Sequence, residues 1–271
     1  MRFNDMPRFG LGTWRMGERA ARRPAERDAL SYGLELGVRL IDTAEMYGDG
    51  GAEEIVGEAI AGRRNDVYVV SKCYPQHAGA KSMPAACERS LRRLRIERID
   101  CYLLHWRGRT PLAETVDTFE RLVREGKIAR WGVSNFDVDD LEELLAVPGG
   151  RACAANQVLY HLGDRAVESR LLPFCRKHGM PLMAYSPLGQ GELVESPALA
   201  AIAKPLGVTP AQLALAFVLS REGVVAIPKA ASRDHVRDDV AAAEIALDAP
   251  TLAALDRSFP PPARPRRISM A

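Results

Sequence analysis

The hydrophobic positions of the chain form short apolar segments, and a polar side chain closes most of them. Asp42 ends one segment, Lys72 ends the next and His105 ends a third. Later segments are closed in the same way by Ser134, Asn135, Gln157, Tyr185, Ser186 and Lys229. Amphipathic stretches with a 3.6-residue period lie between the segments, so the pattern predicts strands that alternate with helices.

The predicted units repeat at roughly thirty residues, close to one eighth of the chain. A first strand is predicted at 9–13. Helices are predicted over about 25–36, 52–61, 84–94, 112–124, 139–146, 168–177, 211–220 and 233–243, with a last one after Pro250. Gly37 and Gly126 are placed to end two of these helices, Ser82 to cap the third, and Thr209 with Pro210 to begin the seventh. The proline-rich tail from Phe259 is predicted to be non-helical.

Uninterrupted alternation with apolar strands indicates a parallel sheet covered by helices. A single α/β domain over residues 1–271 is therefore predicted, in the form of a (β/α)8 TIM barrel, which typically needs about 250 residues. An open doubly wound sheet that binds a dinucleotide is the weaker alternative, because Gly10-Leu11-Gly12 is not continued into Gly-x-Gly-x-x-Gly. The carboxyl ends of barrel strands meet at one mouth, so the polar residues that close the segments are expected to form the site.

Composition narrows the function. The chain has 271 residues, 47% hydrophobic and 27% charged, with a formal net charge of +2, which gives no support for nucleic-acid binding. Its five cysteines are odd in number and contain no Cys-x-x-Cys pair, which favours reduced thiols in the cytoplasm and no metal site. No leader and no apolar stretch near eighteen residues is present, so neither secretion nor a membrane span is expected. No heptad or apolar edge demands a partner, and a monomer is expected.

Asp42, Tyr47, Lys72 and His105 form a set with a recognisable chemistry. A phenol with an ordinary pKa of about 10 is a weak acid at neutral pH, and a neighbouring lysine cation lowers that pKa. A carboxylate holds the lysine, and a neutral imidazole orients a carbonyl oxygen toward the phenol. Such a set can protonate an oxygen on which negative charge develops, but it cannot supply a hydride. A nicotinamide cofactor is the missing part.

At these residues the chain resembles the aldo-keto reductase superfamily, in particular short-loop bacterial members similar to diketogulonate reductases. The matching motifs, which run in the family's order over nearly the whole chain, are Gly10-Leu11-Gly12-Thr13-Trp14, Asp42-Thr43-Ala44-Glu45-Met46-Tyr47-Gly48, Leu103-Leu104-His105-Trp106, Gly132-Val133-Ser134-Asn135-Phe136, Asn156-Gln157, Tyr185-Ser186-Pro187-Leu188-Gly189 and Ile227-Pro228-Lys229. The resemblance implies reduction of aldehydes or ketones with NADPH, with Tyr47 as the acid.

The resemblance also implies where the ligands bind. The residues that match cofactor contacts are Ser134, Asn135 and Gln157 at the carboxamide, Tyr185 stacked on the nicotinamide, Ser186 and Leu188 at the pyrophosphate, and Lys229 at the adenosine 2′-phosphate. The predicted cofactor site is completed by Thr13, Trp14, Ala230, His235, Asp238 and Asp239. The substrate pocket is predicted to be lined by Trp14, Tyr47, His105 and Trp106.

The phosphate-binding segment departs from the family pattern. Many relatives carry Ser where this chain has Ala230 and Arg where it has His235, so a hydroxyl donor and a planar cation are missing. Arg233 or Arg237 is expected to compensate. We expect a preference for NADPH that is carried by Lys229 and weaker than the family's, with some use of NADH.

Each key residue also has an ordinary structural interpretation. Alone, Asp42 would cap the next segment, Lys72 would lie on the surface and His105 would be a core histidine. Two other functions compete: a barrel hydrolase or isomerase that uses Asp42 and His105 without a nicotinamide, and a regulatory NADPH sensor with slow turnover. The short loops and short tail predict an open pocket with little lid, suited to small aldehydes and dicarbonyls.

Overall fold

The computed structural model describes residues 6–270. Within these residues, eight parallel strands follow one another around a sheet in chain order. The strands are β1 (Leu11–Gly12), β2 (Leu40–Asp42), β3 (Tyr68–Cys73), β4 (Ile99–Leu104), β5 (Ile128–Ser134), β6 (Asn156–Leu159), β7 (Leu182–Tyr185) and β8 (Val224–Ala226). The sheet closes where Phe9 bridges Ala226 of β8 and the Gly10 amide donates to the Ala226 carbonyl at 3.0 Å. The predicted eight-stranded parallel barrel is confirmed, although β1 is shorter than the predicted strand.

Helices follow the strands along the described chain. They are α1 (Arg23–Glu35), α2 (Gly51–Ala59), α3 (Ser82–Leu94), α4 (Leu112–Arg124), α5 (Val138–Ala146), α6 (Leu171–Lys177), α7 (Pro197–Ala203), α8 (Pro210–Leu219), α9 (Arg233–Ala242) and α10 (Ala249–Ser258). Helix α7 was not predicted, because its seven residues are too few to show a period. A 3₁₀ turn at Ala166–Glu168 precedes α6, so the predicted single helix over 168–177 is interrupted.

The predicted helix ends agree with the structure at most positions. Gly37 and Gly126 have φ values of 95° and 74°, the left-handed conformation that ends a helix at little cost for glycine. Thr209 and Gln212 form a capping box at the start of α8, with Pro210 in the first turn. The assignment of Ser82 as a cap is wrong: Ser82 is itself helical, and Lys81 occupies the N-cap position without a side-chain bond.

The period of the strands explains how they build a site. Alternate residues of a strand point to opposite faces of a sheet. A core cluster made of strand and loop residues fills the barrel, and it includes Leu40, Val70, Leu103, Ala155 and Met183. Two residues further along the same strands, the same face carries Asp42, Lys72, His105, Gln157 and Tyr185. The apolar interior therefore changes to a polar layer at the carboxyl ends.

No single helix of residues 6–270 is long and apolar enough to span a membrane. One pair, Pro197–Leu206 with Pro210–Leu219, reaches the required length and composition together but is bent by 85°.

Candidate active site

A cavity of about 320 Å³ opens at the carboxyl ends of the strands. Its predicted lining residues are Trp14, Asp42, Tyr47, His105, Trp106, Ser134, Asn135, Gln157, Tyr185, Ser186 and Lys229. It is also lined by residues that were not predicted as site residues, namely Gly12, Met46, Gln190, Ile227 and Met270. Residues from all parts of the chain thus meet in one pocket at the mouth, as the barrel arrangement requires.

Lys72 is the centre of the polar network and is completely buried. Its ammonium group donates to Asp42 Oδ2 at 2.8 Å, to the Thr43 carbonyl at 2.9 Å and to the Tyr47 hydroxyl at 3.1 Å. These bonds use all three N–H donors of a lysine. Because the Tyr47 oxygen accepts from Lys72, the phenol's own proton remains available to another acceptor.

Asp42 holds the lysine through a carboxylate whose two oxygens are both bonded. Lys72 donates to Oδ2, and the Gln157 amide donates to Oδ1 at 2.7 Å. Burial lowers the pKa of Lys72, but Asp42 and Tyr47 raise it by more, so the ammonium stays charged. Burial raises the pKa of Asp42, and both donors oppose that rise. Because both oxygens of Asp42 accept a hydrogen bond, the ionised carboxylate, which has acceptors only, fits this site.

Burial raises the pKa of the Tyr47 phenol above its ordinary value, and Asp42 adds to the rise. Lys72 lowers the pKa of Tyr47, as the sequence led us to expect, but its effect is smaller than that of burial. The effect of Lys72 has the expected direction, but burial outweighs it. The phenol stays protonated at neutral pH, which is the form a general acid must have.

His105 lies beside Tyr47 as a neutral imidazole. The two rings meet edge to face with centroids 5.8 Å apart. Burial, assisted by the Lys72 charge, lowers the pKa of His105 to about 2. Its Nδ1 atom is buried without a hydrogen-bond partner, so Nε2 is the atom that can serve a substrate.

The predicted carboxamide site adjoins His105. The Asn135 amide donates to the His105 carbonyl and to the Ser134 hydroxyl, both at 3.1 Å. The Tyr185 hydroxyl donates to the Asn135 side-chain oxygen at 3.0 Å. Asn135 has a φ of 61°, a left-handed conformation uncommon for a residue other than glycine and often found at functional sites.

Lys229 lies at the far rim of the cavity, directly after β8. Its ammonium group has no ion pair or hydrogen bond with any residue in the described range 6–270. Partial burial lowers the pKa of Lys229, and the charges of Arg22 and Arg15 contribute to that decrease, whereas Glu26 raises the pKa. A cation at a cavity without a bonded counter-ion is suited to an anionic ligand.

The arginines that were expected to compensate near Lys229 are already engaged. Arg233 forms two hydrogen bonds of 2.7 Å with Asp28. Arg237 pairs with Asp234 at 3.1 Å and with Asp238 at 3.8 Å. Both guanidinium groups therefore share their charge with carboxylates, although each keeps N–H donors outside these pairs.

Several predicted cofactor residues do not line the cavity. They are Thr13, Leu188, Ala230, His235, Asp238 and Asp239. Thr13 is buried and donates its hydroxyl to the Asp42 carbonyl at 2.9 Å, so it supports β2 instead. His235 is exposed on the first turn of α9. Asp239 is buried in that helix, and burial together with Asp238 raises its pKa to about 7.

The carboxyl-terminal tail reaches the pocket, which corrects the expectation of a pocket with little lid. Arg266 pairs with Asp164 at 2.8 Å, and the Ile268 amide donates to Asp137 at 3.3 Å. Met270 then lines the cavity, although 58% of its surface remains exposed. No pattern in the tail sequence indicates this course, because the anchors are an ion pair and a hydrogen bond to residues more than a hundred positions away.

Two larger cavities, each of about 740 Å³, lie at the opposite end of the barrel. One of them is lined by Arg39 and Arg64, which donate to nearby carbonyl groups and, from Arg64, to Asp100. These cavities lie at the amino ends of the strands, where barrels are not known to place active sites. Within the described chain, no group of three acidic, histidine or cysteine residues is arranged to hold a metal ion.

The site thus combines a buried acid network with an unpaired cation at the mouth of a parallel barrel. The model of the aldo/keto reductase family matches residues 8–259, and the chain belongs to that family. Membership confirms the predicted class, an NADP(H)-dependent oxidoreductase that acts on carbonyl compounds.

Named relatives support the family. The chain is 51% identical over 263 residues to methylglyoxal reductase YeaE of Escherichia coli, covering 95% of this chain and 93% of that protein. It is 35% identical over 237 residues to glyoxal reductase of Bacillus subtilis, covering 86% and 81%. A crystal structure of an aldo/keto reductase from Klebsiella pneumoniae in complex with NADP and acetate is similar with a TM-score of 0.96 and 53% identity, covering 98% of this chain and 96% of that one.

The residues present fit this cofactor. Tyr185 offers an aromatic face at the cavity wall. Gln157 is buried there and donates its side-chain nitrogen to Asp42, so its side-chain oxygen can accept a hydrogen bond from a carboxamide. Lys229 offers an unpaired cation at the rim. An aromatic platform, an amide and a cation are the groups that a nicotinamide, its carboxamide and a phosphate require.

Proposed function

We propose that the chain reduces small 2-oxoaldehydes of the methylglyoxal type to alcohols, with Tyr47 as the general acid. The observation that carries this proposal is the bond from Lys72 to the Tyr47 oxygen at 3.1 Å. It leaves the phenolic proton for the substrate and keeps a cation beside the phenolate that forms.

The chain's own residues account for the proton transfer. Tyr47 donates its proton to the carbonyl oxygen as negative charge develops there, and the pair Lys72 and Asp42 stabilises the resulting phenolate. Neutral His105 orients the carbonyl oxygen through Nε2 without competing for the proton. The hydride comes from bound NADPH, because no side chain of the site can supply a hydride. The apolar wall of Trp14 and Trp106 excludes water from the reacting oxygen.

The size of the cavity supports a small substrate. Its volume of about 320 Å³ must hold the reacting end of the cofactor as well as the carbonyl compound. Met270 narrows the opening from the tail side, which leaves room for a compound of a few carbon atoms. The relatives named for methylglyoxal and glyoxal reduction support the same class.

Lys229 is proposed to bind the adenosine 2′-phosphate and to set the preference for NADPH over NADH. Its unpaired ammonium group supports this role. We further propose that the protein acts as a monomer in the cytoplasm, without nucleic-acid or membrane partners. All five cysteines are unpaired and buried, which fits a reducing compartment.

The test is the oxidation of NADPH by the purified protein with glyoxal, methylglyoxal and larger aldehydes. Tyr47→Phe is expected to lower kcat by about 10²- to 10⁴-fold with methylglyoxal, as for the loss of a general acid, while the Kd for NADPH stays unchanged. Tyr74→Phe is the matched control, because it removes a phenol near Trp106 that does not contact Lys72.

Equal rates in Tyr47→Phe and the unaltered protein would remove Tyr47 as the acid. Tight NADPH binding without turnover of any carbonyl would favour the regulatory alternative. No binding of NADPH would contradict the cofactor assignment and favour the hydrolase or isomerase alternative.

A further inference from the structure

The loop that carries Tyr47 has a backbone that must be held in place. The turn Tyr47–Gly50 contains three consecutive residues with positive φ, namely Gly48 at 57°, Asp49 at 53° and Gly50 at 87°. Glycine adopts this region readily, but Asp49 adopts it with strain. A strained conformation persists only where the surrounding structure determines it. The contacts of the residues that follow Tyr47 identify that structure.

Glu53 lies in the first turn of α2 and is completely buried. Its Oε1 atom accepts a hydrogen bond of 2.6 Å from the Ser71 hydroxyl. Ser71 immediately precedes Lys72 in β3 and points outward, opposite to Lys72. Glu53 therefore ties the helix that follows Tyr47 to the strand that carries its lysine partner.

The second oxygen of Glu53 reaches a third element. Oε2 accepts from Arg93 Nε of α3 at 2.7 Å. The Arg93 guanidinium also lies against Gly50, so closely that a methyl group on Gly50 would overlap it. Arg93 thus supports the end of the strained turn, and Glu53 holds Arg93 in that position.

A buried ion pair is poor evidence of a gain in stability, because desolvation of both charges offsets their attraction. What such a pair provides is a defined geometry. Here it joins β3, α2, α3 and the turn, which are the elements that set the separation between Tyr47 and Lys72. None of its members lines the cavity.

We propose that Glu53, through Ser71 and Arg93, is a positioning residue that fixes the Tyr47 hydroxyl on the Lys72 ammonium group. This inference rests on the proposed function of Tyr47. It assigns a role to charged residues that touch neither the substrate nor the cofactor.

Two adjacent pairs of residues allow a matched test. Glu53→Gln and Arg93→Met change this pair, in which Glu53 is fully and Arg93 partly buried. Glu54→Gln and Arg92→Met make the same changes at the adjacent, more exposed positions, where Glu54 pairs with Arg23. Since a displacement of about 1 Å can cost about 100-fold in rate, Glu53→Gln is expected to lower kcat by about 10- to 100-fold with the Kd for NADPH unchanged. The control variants are expected to retain the kcat of the unaltered protein.

The pH dependence separates positioning from a general loss of structure. Reduction needs protonated Tyr47, so kcat falls as the pH rises through the pKa of the phenol. The Lys72 cation lowers that pKa. A longer distance between Lys72 Nζ and the Tyr47 hydroxyl reduces this lowering of the pKa. The alkaline decrease in kcat is therefore expected to move to higher pH in Glu53→Gln and in Arg93→Met. A variant that only loses folded protein would show the profile of the unaltered enzyme at lower amplitude.

A crystal structure of Glu53→Gln gives a result that does not depend on turnover. The distance from Lys72 Nζ to the Tyr47 hydroxyl is expected to exceed the hydrogen-bonding range. An unchanged distance, or an unchanged kcat and pH profile, would overturn the inference. If kcat depends on Tyr47 but not on Glu53, the positioning role fails while the proposed function stands. If the unaltered protein reduces no carbonyl compound, the proposed function fails instead. The distance from Lys72 Nζ to the Tyr47 hydroxyl in the two structures would still test the positioning role.

Discussion

The two sides of the active-site cavity differ in whether their polar groups have hydrogen-bond partners within the protein. Around Tyr47, the polar groups are buried and bonded to each other: Lys72 uses all its donors, and Asp42 uses both oxygens. Around Lys229, the cation is exposed and has no bonded partner in the described chain. The first side is assembled by the fold itself. On the second side, the Lys229 ammonium group is left to solvent or to a ligand.

This difference follows from where the residues lie in the barrel. Asp42 and Lys72 sit on the inner faces of strands, where neighbouring strands fix their separation. Lys229 follows the last strand at the rim, where solvent can stabilise its charge. Preorganised donors and charges at the reacting atoms lower a barrier without reorganisation, whereas a cation at the rim contributes to binding. We therefore expect changes on the first side to affect kcat, and changes on the second side to affect cofactor affinity.

The largest effect is expected from Lys72→Met. Loss of the cation leaves the Tyr47 phenolate unstabilised, and kcat should fall by about 10²- to 10³-fold or more. The buried Asp42 also loses its partner, so the free energy of unfolding should fall by about 3–5 kcal/mol. Both quantities are measurable, by NADPH oxidation with methylglyoxal and by urea unfolding.

A double variant separates the two effects of Lys72. Asp42→Asn with Lys72→Met removes both charges, so most of the stability should return while kcat stays low. Lys177→Met, at an exposed lysine of α6, is the control. Recovery of kcat in the double variant would show that the ion pair serves only stability.

Lys229→Ala is expected to have a smaller effect, on the affinity for NADPH and not on kcat. A hydrogen bond to a charged group contributes about 1.5–3 kcal/mol, so the Kd for NADPH should rise by about 10- to 100-fold. The Kd for NADH, which lacks the 2′-phosphate, should change little, and kcat at saturating NADPH should be retained. Fluorescence titration with both cofactors measures this, with the exposed Lys204→Ala as the control. An unchanged ratio of the two Kd values would show that another group recognises the phosphate.

The same difference explains which parts of the site could be predicted from the sequence. Asp42, Lys72 and His105 each end an apolar strand, and the two-residue period places them on the inner face beside the mouth. Tyr47 lies in a loop but belongs to the same motif as Asp42. These four residues were therefore predicted correctly as neighbours, although their roles remain to be tested.

The residues at the rim of the cavity are placed there by contacts that produce no periodic pattern in the sequence. Met270 lines the cavity at the end of a tail held by Arg266 on Asp164 and by Ile268 on Asp137, and Gln190 lines it from a turn in which its φ is 55°. Conversely, Thr13 belongs to a matching motif but points away from the cavity, toward the Asp42 carbonyl. Motif matches predict which segments approach the ligand, but they do not predict which side chains face it.

The charge states also required the structure. The spacing of Lys72 and Tyr47 predicts that the cation lowers the pKa of the phenol, and it does so. Burial has the larger and opposite effect, and burial depends on the packing of the whole mouth. For the same reason, the pKa of His105 is lowered to about 2, whereas the sequence led us to expect only a neutral imidazole.

We expect the catalytic side to be assembled before the cofactor binds and the Lys229 side only afterwards. A pair of crystal structures, with and without NADP⁺, tests it most directly. We predict that the contact between Lys72 and the Tyr47 hydroxyl stays near 3.1 Å in both, while the Lys229 ammonium moves onto the 2′-phosphate. A Tyr47 hydroxyl that lies away from Lys72 until NADP⁺ binds would show that the catalytic side is not assembled before the cofactor binds.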